Sequence, residues 1–278
     1  MKQWLFEQNL IGFFKRFGVV LLSGFIATVT VSCSNDKDVL VTEIGVSPAT
    51  SPVPNPSTAK EFYAQGQYKH IQGDTQGAIA AYTKAINLDS DYVEAYNGRG
   101  LVQFDTGDRQ GAIADYNQAL RISPDNAQAY NNRGNARAAQ GDINGAISDY
   151  DQAISLDPNY AEAYNNRGNA RAAQGNRNEA IADYTEAIRI NPNYAVAYNN
   201  RGNARAAQGD QEGAISDYDE AIRLNPNFGA AYNNRGNARA PKDKDGALAD
   251  LQRAAEIFQE QNNQQLYKQV MENVKEIQ

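Results

Sequence analysis

The sequence predicts an all-α solenoid of stacked helix pairs, and three observations carry that reading. Tyr96, Tyr130, Tyr164, Tyr198 and Tyr232 stand 34 residues apart. The run Tyr-Asn-Asn-Arg-Gly-Asn-Ala-Arg-Ala-Ala-Gln-Gly begins unchanged at Tyr130, Tyr164 and Tyr198. Within the period, two stretches of helical apolar spacing are separated by a glycine and closed by a proline. A fixed period of this length marks a repeat array, in which each unit buries its apolar face only by stacking on its neighbours. Stepping back one period from Tyr96 reaches Phe62, which gives six units: 59–92, 93–126, 127–160, 161–194, 195–228 and 229–262, the last with a one-residue deletion. Place n denotes the nth residue of a unit.

Residues 1–32 read as an export signal. Lys15 and Arg16 directly precede an apolar run from Gly18 to Val31 that small residues close. The run is shorter than the roughly 20 residues a spanning helix needs, so cleavage is expected rather than a permanent anchor. Thr30-Val31-Ser32-Cys33 resembles the lipobox of bacterial lipoproteins, although the leucine usual three places before the cysteine is here Thr30. The resemblance implies cleavage before Cys33 and a diacylglyceryl group on its thiol, placing the mature chain in a bacterial cell envelope on a lipid anchor. The alternative is an ordinary cleavage site and a secreted or periplasmic protein. Residues 33–58 are Ser/Thr/Pro-rich, carry Pro48, Pro52, Pro54 and Pro56, and have no period that could bury a face, which makes them a tether.

The unit 161–194 shows why each repeat should be a helix pair. Tyr164, Gly168 and Arg171 share one side of a first helix, and Gly175 supplies its left-handed stop. Asn176 can cap a second helix, with Glu179 completing a capping box. That helix presents Ala180, Ile181, Tyr184, Ala187 and Ile188 as an apolar stripe before Pro192 ends it. The aromatic at place 4, Gly at 8, Ala at 20, aromatic at 24, Ala at 27 and Pro at 32 closely resemble the tetratricopeptide repeat (TPR) over residues 59–262, which implies a right-handed superhelix. Beyond it, residues 263–278 place Leu266, Val270, Val274 and Ile277 on one side of a final helix, with Lys268, Glu272 and Lys275 outward, as expected of a solubilising cap.

Two positions depart from the family in a consistent way: places 7 and 11, where large apolar residues are usual, hold arginine. Place 7 is Arg99, Arg133, Arg167, Arg201 and Arg235, and place 23 of the same units is Asp115, Asp149, Asp183, Asp217 and Asp250. The first unit has neither, with Gln65 and Ala81 there instead. Joint presence and joint absence predict an ion bridge between the two helices of each unit. Arg137, Arg171, Arg205 and Arg239 at place 11 have no evident partner and are expected either to lie beside tyrosines or to bind acidic groups.

Places 2, 5, 6, 9, 12 and 13 line the concave face of TPR proteins. In the last four units places 5, 6 and 9 are all asparagine: Asn131, Asn132, Asn135; Asn165, Asn166, Asn169; Asn199, Asn200, Asn203; Asn233, Asn234, Asn237. Asparagine is a poor helix former, so the set forgoes several kcal/mol of helix propensity, at about 0.6 kcal/mol each. Duplication of one founder unit explains the uniformity but not the choice of asparagine. A carboxamide both donates and accepts, which suits an extended peptide backbone, and place 6 resembles the asparagine ladder of the O-GlcNAc transferase TPR domain, broken here at Ala64 and Gly98. On that reading Asn132, Asn166, Asn200 and Asn234 face a ligand, and changing all four to alanine would add roughly 2 kcal/mol of stability. The lysine and arginine places of the chaperone-type carboxylate clamp are not matched.

Composition limits the chemistry. With 26 Lys+Arg against 33 Asp+Glu the net charge is −7, against an electrostatic grip on nucleic acid. One cysteine and one histidine, Cys33 and His70, cannot build a disulfide framework or a Cys/His metal cage, and His70 has no evident acid partner. No phosphate-binding loop or paired-carboxylate motif occurs. The expectation is therefore a scaffold without cofactor, metal or catalytic residue, which binds a protein or peptide and meets the membrane through its lipid. The alternative is an accessory subunit of an envelope enzyme or of a pilus or cell-wall assembly system.

Overall fold

A computed structural model describes residues 53–278, so Cys33, the export signal and most of the tether lie outside the described residues. Among these residues there are thirteen helices and no strand. Six pairs follow in order: α1 (Ala59–Ile71) with α2 (Thr75–Leu88), α3 (Val93–Asp105) with α4 (Arg109–Ile122), α5 (Ala127–Gln140) with α6 (Ile143–Leu156), α7 (Ala161–Ala173) with α8 (Arg177–Ile190), α9 (Ala195–Ala207) with α10 (Gln211–Leu224), and α11 (Gly229–Arg239) with α12 (Lys244–Glu260). The last helix, α13 (Gln264–Ile277), packs on α12. Each second helix packs on the next first helix, and successive first helices also touch. The first helices thus line the inner face of the array. No helix among the described residues is long and apolar enough to cross a membrane.

Local sequence explains the helix ends. Gly73, Gly107, Gly141, Gly175 and Gly209 follow the first helices with φ between 77° and 90°, a region that costs only glycine nothing. The second helices start on an aspartate whose side chain accepts from the glycine N–H three residues on: Asp74 from Gly77, Asp108 from Gly111, Asp142 from Gly145, Asp210 from Gly213 and Asp243 from Gly246. The expected capping box at Asn176 does not form, because Asn176 makes no side-chain cap bond. A β-carbon built on Gly145 would lie 2.1 Å from Asp142 Oδ2, so the capping carboxylate occupies the space of a side chain. In the fourth unit the corresponding residue is Glu179, which pairs with Arg171 at 3.3 Å. The capping box that does form joins Thr58 and Glu61 at the start of α1.

The core repeats with the sequence. The place-24 tyrosines Tyr82, Tyr116, Tyr150, Tyr184 and Tyr218 are buried, and Leu251 takes that place in the sixth unit. Each ring lies on the place-8 glycine of its own unit; a β-carbon on Gly168 would come within 2.7 Å of the Tyr184 ring. At the carboxyl end Val270 and Val274 of α13 are buried against Leu251, Ala254 and Phe258.

Burial raises the phenol pKa of Tyr63, Tyr82, Tyr116, Tyr150, Tyr184 and Tyr218, since the anion is poorly solvated inside the array. The folded value exceeds the unfolded value of about 10, so this contribution to stability is complete below pH ~10 and is lost as pH rises further. Alkaline titration followed by phenolate absorbance and circular dichroism should show these six ionising only as helix is lost. Ionisation with full helicity would contradict their burial.

Candidate functional site

Between the helices of each pair, the place-7 arginine grips the place-23 aspartate with two parallel bonds. The shorter contacts, Arg99–Asp115, Arg133–Asp149, Arg167–Asp183, Arg201–Asp217 and Arg235–Asp250, span 2.5 to 2.7 Å. The aspartates are buried. The remaining guanidinium nitrogen reaches back to place 25 of the preceding unit: Arg99 to Thr83, Arg133 to Asn117, Arg167 to Asp151, Arg201 to Thr185 and Arg235 to Asp219. Each guanidinium also stacks 5.3 to 5.8 Å from the place-4 tyrosine of its unit, as Arg167 does over Tyr164. One side chain therefore ties together both helices of its unit and the unit before it.

The place-11 arginines do have partners. Arg137, Arg171, Arg205 and Arg239 donate to the second oxygen of Asp149, Asp183, Asp217 and Asp250 at 2.7 to 3.0 Å. Each aspartate thus holds two guanidinium groups, and these four arginines are already engaged within the fold. In the second unit place 11 is Gln103, whose Oε1 is buried without a partner.

The asparagines divide into three roles. Place 5 is buried in Asn131, Asn165 and Asn199, at 4%, 0% and 6% exposure, so these three do not face a ligand. Each accepts from the place-6 asparagine of the following unit at 3.0 Å: Asn166 Nδ2 to Asn131 Oδ1, Asn200 Nδ2 to Asn165 Oδ1, and Asn234 Nδ2 to Asn199 Oδ1. The cap continues the series, with Asn273 Nδ2 donating to Asn233 Oδ1 at 3.2 Å. At the other end the rung is missing: Asn97 Oδ1 is buried and unpartnered. Place 9 accepts from the buried tyrosine of its own unit, with Tyr150, Tyr184 and Tyr218 donating to Asn135, Asn169 and Asn203 Oδ1 at 2.8 Å. Half of the proposed ligand surface is thus a structural amide ladder between repeats, which offsets the poor helix propensity.

What remains on the inner face is the half-buried set at places 6 and 9, including Asn132 and Asn237, with exposed Ala173 and Ala207 at place 13. This surface is rich in amide groups, with Glu162 at place 2 the one charge among the groove places of the last four units, and it is suited to hydrogen bonding with a chain. At the amino end His70 Nε2 lies 3.0 Å from Asp105 Oδ2, so the histidine has an acid partner after all, supplied by the next unit. Among the described residues no group of three or more His, Cys, Asp or Glu could hold a metal ion.

Stacked helix pairs around an amide-lined inner face define a helical-repeat protein-interaction scaffold. A family model described as TPR repeat matches residues 66–107, 102–141, 134–175, 168–209 and 202–241, more than half of the chain, so this protein belongs to the TPR family. The fold is similar to the crystal structure of MamA, at 29% identity and TM-score 0.52 over 58% of this chain and 94% of that one. It is also similar to the APC/C hetero-tetramer Cut9-Hcn1, at 17% identity and TM-score 0.70 over 86% and 46%. YrrB, described as a TPR protein with an unusual peptide-binding site, matches at 23% identity and TM-score 0.50 over 70% and 95%. No curated protein sequence matches the chain.

Proposed function

We propose that the chain is a non-enzymatic scaffold that holds an extended segment of a partner polypeptide along its asparagine-lined inner face, and that it is exported and lipid-anchored at Cys33. The observation that carries the binding reading is the free half of the groove carboxamides. Asn135, Asn169 and Asn203 each have Oδ1 engaged by a tyrosine, while Nδ2 has no partner among the described residues and is not buried. Polar groups held in register by the fold, yet left open at the surface, suit a ligand backbone. A photocrosslinking residue at Ala173 or Ala207 should yield protease-sensitive adducts in envelope preparations, and the same residue at exposed Arg189 should yield far fewer. Glycan adducts instead would favour the accessory role in cell-wall assembly.

The anchoring reading rests on Lys15, Arg16, the apolar run and Thr30-Val31-Ser32-Cys33. Wild-type protein should incorporate a labelled fatty acid and fractionate with membranes. Cys33→Ser should abolish the label and leave an unprocessed precursor or release the domain. A soluble, unlabelled wild-type protein would overturn the anchor.

A further inference from the structure

The groove carboxamides are fixed in direction and recur at a constant spacing. At place 6 the Nδ2 groups of Asn166, Asn200 and Asn234 are tied to the preceding unit, each at 3.0 Å, which turns Oδ1 outward. Asn165 and Asn233 donate to two of these oxygens at 3.4 and 3.3 Å, leaving each a lone pair. At place 9 the tyrosine hydroxyls hold Oδ1 of Asn135, Asn169 and Asn203, each at 2.8 Å, and turn Nδ2 outward. Equal distances along each row mean that successive units are offset alike. The inner face therefore carries a row of acceptors beside a row of donors, each advancing by one member per unit.

That advance selects the conformation of the bound chain. Successive first helices touch, and packed helix axes stand about 8–10 Å apart. A β-extended chain rises about 3.3 Å per residue and returns to the same edge every second residue, a step of ~6.6 Å. Two such residues fall short of one unit and four overshoot it, while three cover the distance but face the opposite edge. A polyproline II chain has three residues per turn at ~3.1 Å each, so the same face returns every ~9.3 Å. It makes no internal hydrogen bonds, which leaves its N–H and C=O groups free for the two rows. Places 5, 6, 9, 12 and 13 of the last four units carry no charge to compensate one on the ligand.

Resting on the reading of the groove as a polypeptide site, we infer that it takes an uncharged partner segment in the polyproline II conformation, read at one residue in three per unit. The C=O groups of every third residue accept from Nδ2 of Asn135, Asn169 and Asn203. N–H groups of the same period donate to Oδ1 of Asn166, Asn200 and Asn234. Proline is compatible with two of the three frames, because only one frame has to supply N–H. The rows cover the last four units, or three steps, which a segment of ~10 residues spans.

The probes are fluorescent peptides of about twelve residues titrated against the full chain. A peptide of Ala-Pro-Pro repeats supplies N–H in a single frame of three and should bind. A peptide of Ala-Pro repeats loses at least one in-frame N–H and should bind about fivefold more weakly, and oligoproline, which has none, at least about tenfold more weakly. Asn135→Asp, Asn169→Asp and Asn203→Asp together replace outward donors with acceptors and should weaken the Ala-Pro-Pro peptide by at least about tenfold. Ala-Pro repeats binding as tightly as Ala-Pro-Pro repeats, or more so, is the order a β-extended chain would give and would overturn the three-residue period. Undiminished binding to the triple variant would remove the donor row from the site. Failure of every probe while the Ala173 crosslinker still captures protease-sensitive material would overturn the polyproline II inference and leave the scaffold standing. Failure of both would overturn the two together.

Discussion

Asp183→Ala should cost about 3–5 kcal/mol, the largest single-residue loss expected in the array. The carboxylate is 3% exposed and bridges Arg167 at 2.7 Å and Arg171 at 2.8 Å, so its removal leaves two poorly solvated guanidinium groups facing each other. Arg167→Ala should cost less, about 2 kcal/mol, because Arg171 still neutralises Asp183. Urea unfolding of the two variants and of Asp183→Asn decides the cause. Asparagine keeps the volume, so a cavity effect would leave that variant near wild type, whereas loss of the charge retains most of the destabilisation. Equal losses for Arg167→Ala and Asp183→Ala would show that Arg171 contributes nothing.

The triple change Asn166→Ala, Asn200→Ala and Asn234→Ala should destabilise the array by roughly 3 kcal/mol. Each alanine regains about 0.6 kcal/mol of helix propensity. Each also strands a buried acceptor, Asn131, Asn165 or Asn199 Oδ1, at about 1–3 kcal/mol. The stranded acceptor outweighs the propensity, which reverses the stabilisation expected from the sequence. Asn132→Ala is the internal control. It stands at the same place, but makes no bond to Asn97, whose Oδ1 is unpartnered already, so its substitution should be neutral or slightly stabilising. If the triple variant gains stability as well, the ladder contributes nothing to the fold.

Much of the molecule could be read within one repeat. The period, the helix pair, the glycine stops, the buried tyrosine stripe and the cap all depend on residues a few positions apart, where helical spacing and backbone preference act locally. The Arg167–Asp183 bridge was also legible, because place 7 and place 23 vary together along the chain and face each other across a single helix pair. The capping box expected at Asn176 is absent because Asn176 makes no cap bond and Glu179 turns across the pair to Arg171 instead of back to the cap.

Only the tertiary structure decided where the remaining polar groups go. Asn166 meets Asn131 and Arg167 meets Asp151 across the boundary between units, and that pairing depends on how far one unit is rotated and shifted against the next. No spacing within a unit specifies that offset. It also decided that Asp183 takes a second guanidinium, because the bond of Arg171 depends on the depth at which the two helices cross. The same displacement separates asparagines that the sequence cannot tell apart: it buries Asn165, ties Asn166 to Asn131 and leaves one edge of Asn169 open. Identical side chains acquire different roles because burial and hydrogen-bond geometry are set by the neighbouring unit, not by the residue itself.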